Sequence, residues 1–252
     1  MSNSFSFNAV DMDDYGLVVT GVNLPLTQLA SNIQLRDRAY AFDSFRPPII
    51  IEVTVNVVAA NYTTLLTYLS SIREKLNWRV DKQLIFDNLS TRYWMARFDN
   101  LNGMFNGPTM WDGSIIFICT DPAAYSTTAV SNTHNIDADP KTVTETPGGT
   151  DYIYPVYTLT AKEDLGAITL KLENTTTGEE IQWGGSLTTN DYITVNVPTW
   201  LVSKNGVASM AGVVAGSKFP RLLFNVANSI KVTGLWDSVT GLLNIAYRNR
   251  FL

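Results

Sequence analysis

Only one stretch of this 252-residue chain carries apolar residues at helical spacing, and that scarcity limits what the remainder can become. In "NYTTLLTYLSSIREKLN" (61–77), Leu65, Leu69, Ile72 and Leu76 recur at steps of four, three and four, which lays them along one helical stripe. Asn61 offers an N-cap side chain, and Arg73 and Lys75 in the last turns complement the helix dipole. Elsewhere the apolar spacing is two, or the runs are too short for a helix. The predicted class is therefore mainly β with one main α-helix.

The strand signals fall into two groups. "RPPIIIEVTVNVV" (46–58) sets Ile51, Val53, Val55 and Val57 on one face against Glu52, Thr54 and Asn56 on the other, and its proline pair suits an edge or a strand start. "QLIFDNLSTRYWMARF" (83–98) reads as a hairpin around a polar four-residue turn, and "GSIIFICT" (113–120) as a further strand. Residues 126–150 lose nearly all large apolar side chains and fill with Thr, Ser, Asp, Pro and Gly, the composition of a linker or long excursion. From 151 onward "YPVYTLT", "AITLKLE", "EIQWG", "DYITVNV", "RLLFNV", "SIKVTG" and "LLNIAYR" alternate with turn residues at the spacing of a small β-sandwich. The expected domains are 1–132, a linker over 133–150, and an all-β domain over 151–252.

Composition narrows the function classes. Apolar residues make up 45% and charged residues 16%, with a net charge of −5, so the chain folds and shows an uncharged polar surface. Residues 1–132 carry 9 basic and 12 acidic side chains, the rest 9 and 11, and no Lys/Arg cluster is interleaved with aromatics. That argues against a tight grip on nucleic acid, although DNA could pass such a surface. The N-terminus "MSNSFSFNAV" has no basic or apolar signal region, and the weakly polar run "GVASMAGVVAG" is far short of a membrane span, so folding in a reducing cytoplasm without membrane insertion is expected. The single cysteine, Cys119, sits in an apolar run and reads as a buried inert thiol.

Catalytic groups are scarce. The one histidine, His134, lies in the expected linker, where nothing points to a fixed partner, which argues against Ser-His, Cys-His and His-ligated zinc chemistry. "DMDDYG" (11–16) starts like a calcium loop but has Tyr15 and Val22 where ligands are needed, and reads as an acidic turn before "LVVTGV". Glu179 and Glu180 are adjacent, so on a strand they face opposite ways and cannot flank a glycosidic bond. Trp78, Trp94, Trp111, Trp183, Trp200 and Trp236 each fit core packing by context. Trp183, inside "NTTTGEEIQWGGSLTTNDYITVNV", is the one candidate ligand or partner contact, because a lectin would hold a sugar on such a residue. Core or inter-domain packing is the other reading. No catalytic residue, cofactor site or metal site is expected, and the chain is not read as an enzyme.

The order of elements carries a resemblance. Strand, amphipathic helix, "LIFDNLSTRYWMARF" and "FICTDPAAYS" resemble the N-terminal domain of the distal tail proteins (Dit) of long-tailed bacteriophages. Leu84, Phe86, Asp87, Arg92, Tyr93, Ala96, Asp121, Pro122, Ala124 and Tyr125 fall on its loose motifs. The second half is similar to the family's galectin-like sandwich through "NTTTG" and "SLTTNDYITVNV". Its end matches through Phe219, Pro220, Leu222, Asn228, Ile230, Tyr247, Arg248 and Arg250. Asn190, Asn196 and Ala227 stand where the family carries Gly, Asp and Gly.

The resemblance implies an N-terminal ring-forming domain of β-sandwich, hairpin and helix, followed by a galectin-like β-sandwich. Family members form a ring, typically a hexamer, that joins the tail tube to the tail-tip or receptor-binding apparatus and passes DNA through its channel. Implied partners are further copies of the chain, the tail-tube protein, and tip, hub, fibre or receptor-binding proteins, in a virion tail assembled in the host cytoplasm. The competing readings are a carbohydrate-binding module on the second domain, a related tail-tube ring protein and, last, a glycoside hydrolase.

Overall fold

A computed structural model of the chain describes residues 4–24, 47–234 and 241–252, with the backbone alone for two short strands at 33–35 and 39–41. The chain divides into two compact units, Met1–Thr127 with Leu252, and Thr128–Phe251. Their boundary lies at Thr127/Thr128 rather than at 132/133.

The first unit contains β1 (Phe5–Phe7), β2 (Val10–Asp11), β3 (Leu17–Asn23), β4 (Ile33–Leu35), β5 (Ala39–Ala41), β6 (Ile49–Val58), α1 (Tyr62–Leu76), β7 (Lys82–Phe86), β8 (Arg92–Phe105), β9 (Met110–Cys119) and β10 (Ala124–Ser126). Seven of these form the order β2-β1-β7-β8-β9-β6-β3, while β4 pairs with β5 and β10 joins β8. The alternation read from β6 is obeyed: Ile51, Val53, Val55 and Val57 are buried, and Ile49 with them. α1 is the α-helix expected from the stripe, with Asn61 Oδ1 accepting the Thr64 N–H at 2.9 Å and Leu65, Ile72 and Leu76 buried.

β8 runs well past the expected hairpin arm, and its length shapes the unit. Its first residues pair with β7 and β10, those from Arg97 onward with β9, and a bulge between Phe98 and Asn100 interrupts the β9 ladder. Phe117 on β9 meets Phe5 and Phe7 of β1 at ring distances of 5.7 and 5.3 Å. The "DPAAY" stretch closes this hairpin. Asp121 accepts the Tyr125 hydroxyl and the Ala123 N–H, and the Tyr125 ring stacks on Tyr93 at 5.5 Å.

The second unit contains β11 (Val130–Ile136), β12 (Lys141–Glu145), β13 (Val156–Ala161), β14 (Ala167–Asn174), β15 (Glu179–Ser186), β16 (Tyr192–Asn196), β17 (Leu201–Lys204), β18 (Val207–Ala208), β19 (Asn228–Thr233), β20 (Gly241–Tyr247) and β21 (Arg250–Phe251). Two sheets, β11-β20-β13-β16-β17-β18 and β12-β19-β14-β15, enclose one core. Tyr157, Ile193 and Ile245 come from the first sheet, and Leu170, Trp183 and Ile230 from the second. The chain is mainly β as expected, and the second unit is a β-sandwich.

Two readings of the sequence need correction. The expected linker at 133–150 is largely strand: β11 pairs with β20 and β12 with β19. Both are outermost in their sheets, so only Ile136, Val143 and part of Val130 need to be apolar, and the rest imitates a linker in composition. "RLLFNV" (221–226) is a loop, touching the sandwich backbone through an Ile153–Leu222 bridge. Leu222 is buried while Val226 stays exposed, and Asn228 fastens the loop, accepting the Leu223 N–H and donating to the carbonyls of Leu223 and Val226. Asn190 takes the left-handed conformation at φ 70 that a short polar side chain tolerates.

Phe117→Ala is expected to destabilise the first unit by about 3–5 kcal/mol, the cost of removing a packed aromatic. Urea unfolding followed by tryptophan fluorescence measures it as a lower midpoint.

Candidate functional site

Several of the described carboxylates are held in structural pairs. Glu179 and Glu180 diverge as the strand period requires. Glu179 accepts the Arg221 guanidinium at 2.5 and 2.8 Å and its backbone N–H at 2.8 Å, while Glu180 takes Lys171 at 2.5 Å. The Thr188 backbone N–H, then Asn205 and Lys204, hold the Asp191 carboxyl far below the usual range. The "DMDDYG" stretch is a 3-10 turn closed by Gly16 at φ 64, where a side chain would strike the Val58 carbonyl. Among the described residues, no group of three or more His, Cys, Asp or Glu is placed to hold a metal ion.

His134 does have a fixed partner, contrary to expectation. Its Nε2 lies 2.7 Å from Glu145 Oε1, and Glu145 is only 3% exposed. The other carboxylate oxygen accepts from Asn132 at 2.8 Å and from the Tyr247 hydroxyl at 3.2 Å. Burial, with the Glu145 charge beside it, pushes the Tyr247 phenol up to about 12. The partner was not legible because β11 and β12 belong to different sheets, and nothing in the local sequence says that they converge. This is a polar clamp between the two layers, built on the buried Glu145 carboxylate.

The tryptophans separate into two groups. Trp183 is 3% exposed in the sandwich core, and its Nε1 donates to Ser209 Oγ at 3.1 Å. Gly185 lies against its ring, leaving no surface on which a sugar could stack. Trp94 and Trp111 are buried too, but Trp78 and Trp200 depart from the core reading at 43% and 60% exposure. Trp78 donates its Nε1 to the Lys75 carbonyl at the helix end and carries Lys82 over its ring. Trp200 sits on a turn at φ 56, edge-on to Phe219 at 5.3 Å. Trp236 lies outside the described residues.

What remains is surface. On the first unit, a shallow groove of about 600 Å³ runs over β6, β8 and β9, lined by Glu52, Thr54, Asn102, Met104, Asp112 and Ser114 among others. It presents two carboxylates and no lysine or arginine. Beside it, apolar residues stay exposed where α1 begins and the β8–β9 hairpin ends: Val58, Tyr62, Leu66 and Phe105, with the Tyr62 and Phe105 rings 5.6 Å apart. Acidic-polar surface next to a small apolar fringe suits packing against other protein better than holding a small molecule.

The sequence matches no known family description and no curated protein. In three dimensions the chain is similar to the Dit protein of phage SPP1, described as a paradigm of the hub adsorption apparatus in phages infecting Gram-positive hosts. The TM-score is 0.79 at 15% identity, over 100% of both chains. It is also similar to a chain of the phage p2 baseplate in its activated, strontium-containing conformation, with a TM-score of 0.51 at 10% identity over 98% of each chain. The chain therefore has the fold of SPP1 Dit across its whole length.

Glu145→Leu is expected to cost about 2–4 kcal/mol, because Tyr247 and His134 lose a buried acceptor while Asn132 can turn to water. Glu145→Gln should cost less than half as much in the same denaturation series. A second expectation concerns Cys119, whose thiol burial raises from 9.0 to about 12. The unfolded chain releases this proton first, so stability should fall as pH rises from about 9 through 12. Cys119→Ala should flatten the fall between pH 9 and 10, below the ordinary tyrosine range, and a thiol reagent should label native protein only on unfolding.

Proposed function

We propose that this chain is the structural hub of a phage tail tip or baseplate. In this reading the first unit closes a hexameric ring at the distal end of the tail tube, and DNA crosses the channel. The sandwich serves as a platform for tip, fibre or receptor-binding proteins. The protein works in the virion tail, assembled in the host cytoplasm, and has no catalytic duty.

The observation that carries this reading is the correspondence with SPP1 Dit over the full length of both chains. Two further features support it. The groove on the first unit offers carboxylates without basic side chains, a lining that would let a polyanion pass without holding it. The apolar fringe of Val58, Tyr62, Leu66 and Phe105 supplies surface for contacts between subunits. No observation favours the sugar-binding alternative, since Trp183 is enclosed.

Light scattering and negative-stain electron microscopy of the purified chain test the proposal. The expected result is a closed six-membered ring with a central opening. A strict monomer at high concentration would count against it, and stacking into long tubes would favour a tail-tube protein instead.

A further inference from the structure

An asparagine followed by glycine can modify itself, because the glycine nitrogen can attack the side-chain amide carbon and no Cβ hinders its approach. The attack needs the side chain to swing over the next peptide, so a fold that pins both groups suppresses it. The chain carries three such steps, at Asn102 and Gly103, Asn106 and Gly107, and Asn205 and Gly206.

Two of the three are pinned. Asn102 and Gly103 lie inside β8, paired with Ser114 and Gly113 of β9, and the Trp111 ring fills the space that a side chain on Gly103 would need. Asn205 and Gly206 form the turn between β17 and β18. There Asn205 Oδ1 accepts the Tyr192 N–H at 2.8 Å, and its Nδ2 donates to Asp191 at 2.6 Å. The Asn205 backbone N–H donates to the Tyr192 carbonyl as well. That amide is held from both ends.

Asn106 and Gly107 are placed differently. They follow β8 at the tip of the β8–β9 hairpin, where every residue from Asn102 to Thr109 is exposed. Gly107 stands at φ 91, and a side chain there would meet nothing within 4 Å. Pro108 comes next and has no N–H with which to tie the turn. Asn106 Nδ2 donates to Asp112 Oδ2 at 2.8 Å, an exposed contact for which water competes.

We propose that Asn106 is a self-modification site, at which the side-chain amide is exchanged for a carboxylate without an enzyme. The Gly107 nitrogen loses its proton and bonds to Asn106 Cγ; the Cγ–Nδ2 bond breaks, and the amide nitrogen leaves as ammonia. One water then opens the cyclic imide. Opening at Cγ leaves aspartate in an ordinary backbone. Opening at the main-chain carbonyl carbon leaves isoaspartate, with the backbone routed through the side chain. Either product replaces the amide donor by a carboxylate beside Asp112, so attraction gives way to repulsion. Asn106, Asp112 and Glu52 all line the groove over β6, β8 and β9, which therefore grows more acidic as the protein ages. The reaction needs no partner and does not depend on the ring.

Peptide mapping by tandem mass spectrometry of the full chain, aged in mildly alkaline buffer, tests it. Fragment ions separate Asn102 from Asn106. Native protein is expected to convert Asn106 about tenfold or more faster than Asn102 or Asn205, whose pinned groups must first open locally. In urea the three should convert at similar rates, because the fold no longer distinguishes them. The native rate at Asn106 should rise with pH, since the attacking nitrogen must lose a proton. Asn106→Gln, whose longer side chain closes the imide poorly, is expected to abolish the acidic form that appears on native isoelectric focusing. Equal native rates at the three asparagines would overturn the proposal. So would a native Asn106 still intact when the urea-treated chain has converted, or an acidic form that persists in folded Asn106→Gln.

Discussion

The carboxamide of Asn228 is the interaction on which the second unit turns. It is fully buried, and burying an amide without partners is costly, so its bonds must all be met. Its oxygen accepts from Leu223 N–H and Asn174 Nδ2, and its nitrogen donates to the carbonyls of Glu145, Leu223 and Val226. Asn174 continues the chain by donating to the Arg221 carbonyl, and Arg221 in turn is gripped by Glu179. On the other side the Glu145 carboxylate holds His134, Asn132 and Tyr247 of the opposite sheet. One run of polar contacts therefore ties a loop, both sheets and the edge strand β11 into a single arrangement. Fully satisfied networks of this kind specify a core as well as stabilise it.

This network accounts for what the sequence disclosed and what it hid. Alternation along Ile49–Val58 and the stripe Leu65-Ile72-Leu76 were legible because each element meets a core on one side and water on the other. β11 and β12 were not, since an edge strand needs few apolar residues and Thr, Asn and Ser serve strand and linker alike. "RLLFNV" erred in the opposite sense: Leu222 packs inward, but the backbone answers to Asn228 rather than to a neighbouring strand. The His134–Glu145 contact needed the meeting of two sheets, which no local pattern encodes. Trp200 kept its exposure hidden because a left-handed turn, and not the strand period, sets where its ring points.

Of the candidate site, the sequence singled out Trp183 with a packed and a ligand-facing reading, and its ring is 3% exposed in the sandwich core. The acidic pairs, the buried thiol and Trp183 all have structural work, and the surfaces left over suit contact with other proteins. The motifs behind the Dit resemblance prove to be packing devices. Leu84, Phe86, Ala96 and Ala124 fill the first core, Asp121 and Tyr125 lock a hairpin, and Asn228 and Tyr247 belong to the polar network.

The central claim is a position: a hub at the end of a tail tube. Gold-labelled antibody raised against this chain, applied to particles produced from the genome that encodes it, tests that position directly. The account predicts label confined to the distal tip of the tail. Label distributed along the shaft, or tails that carry none, would contradict it.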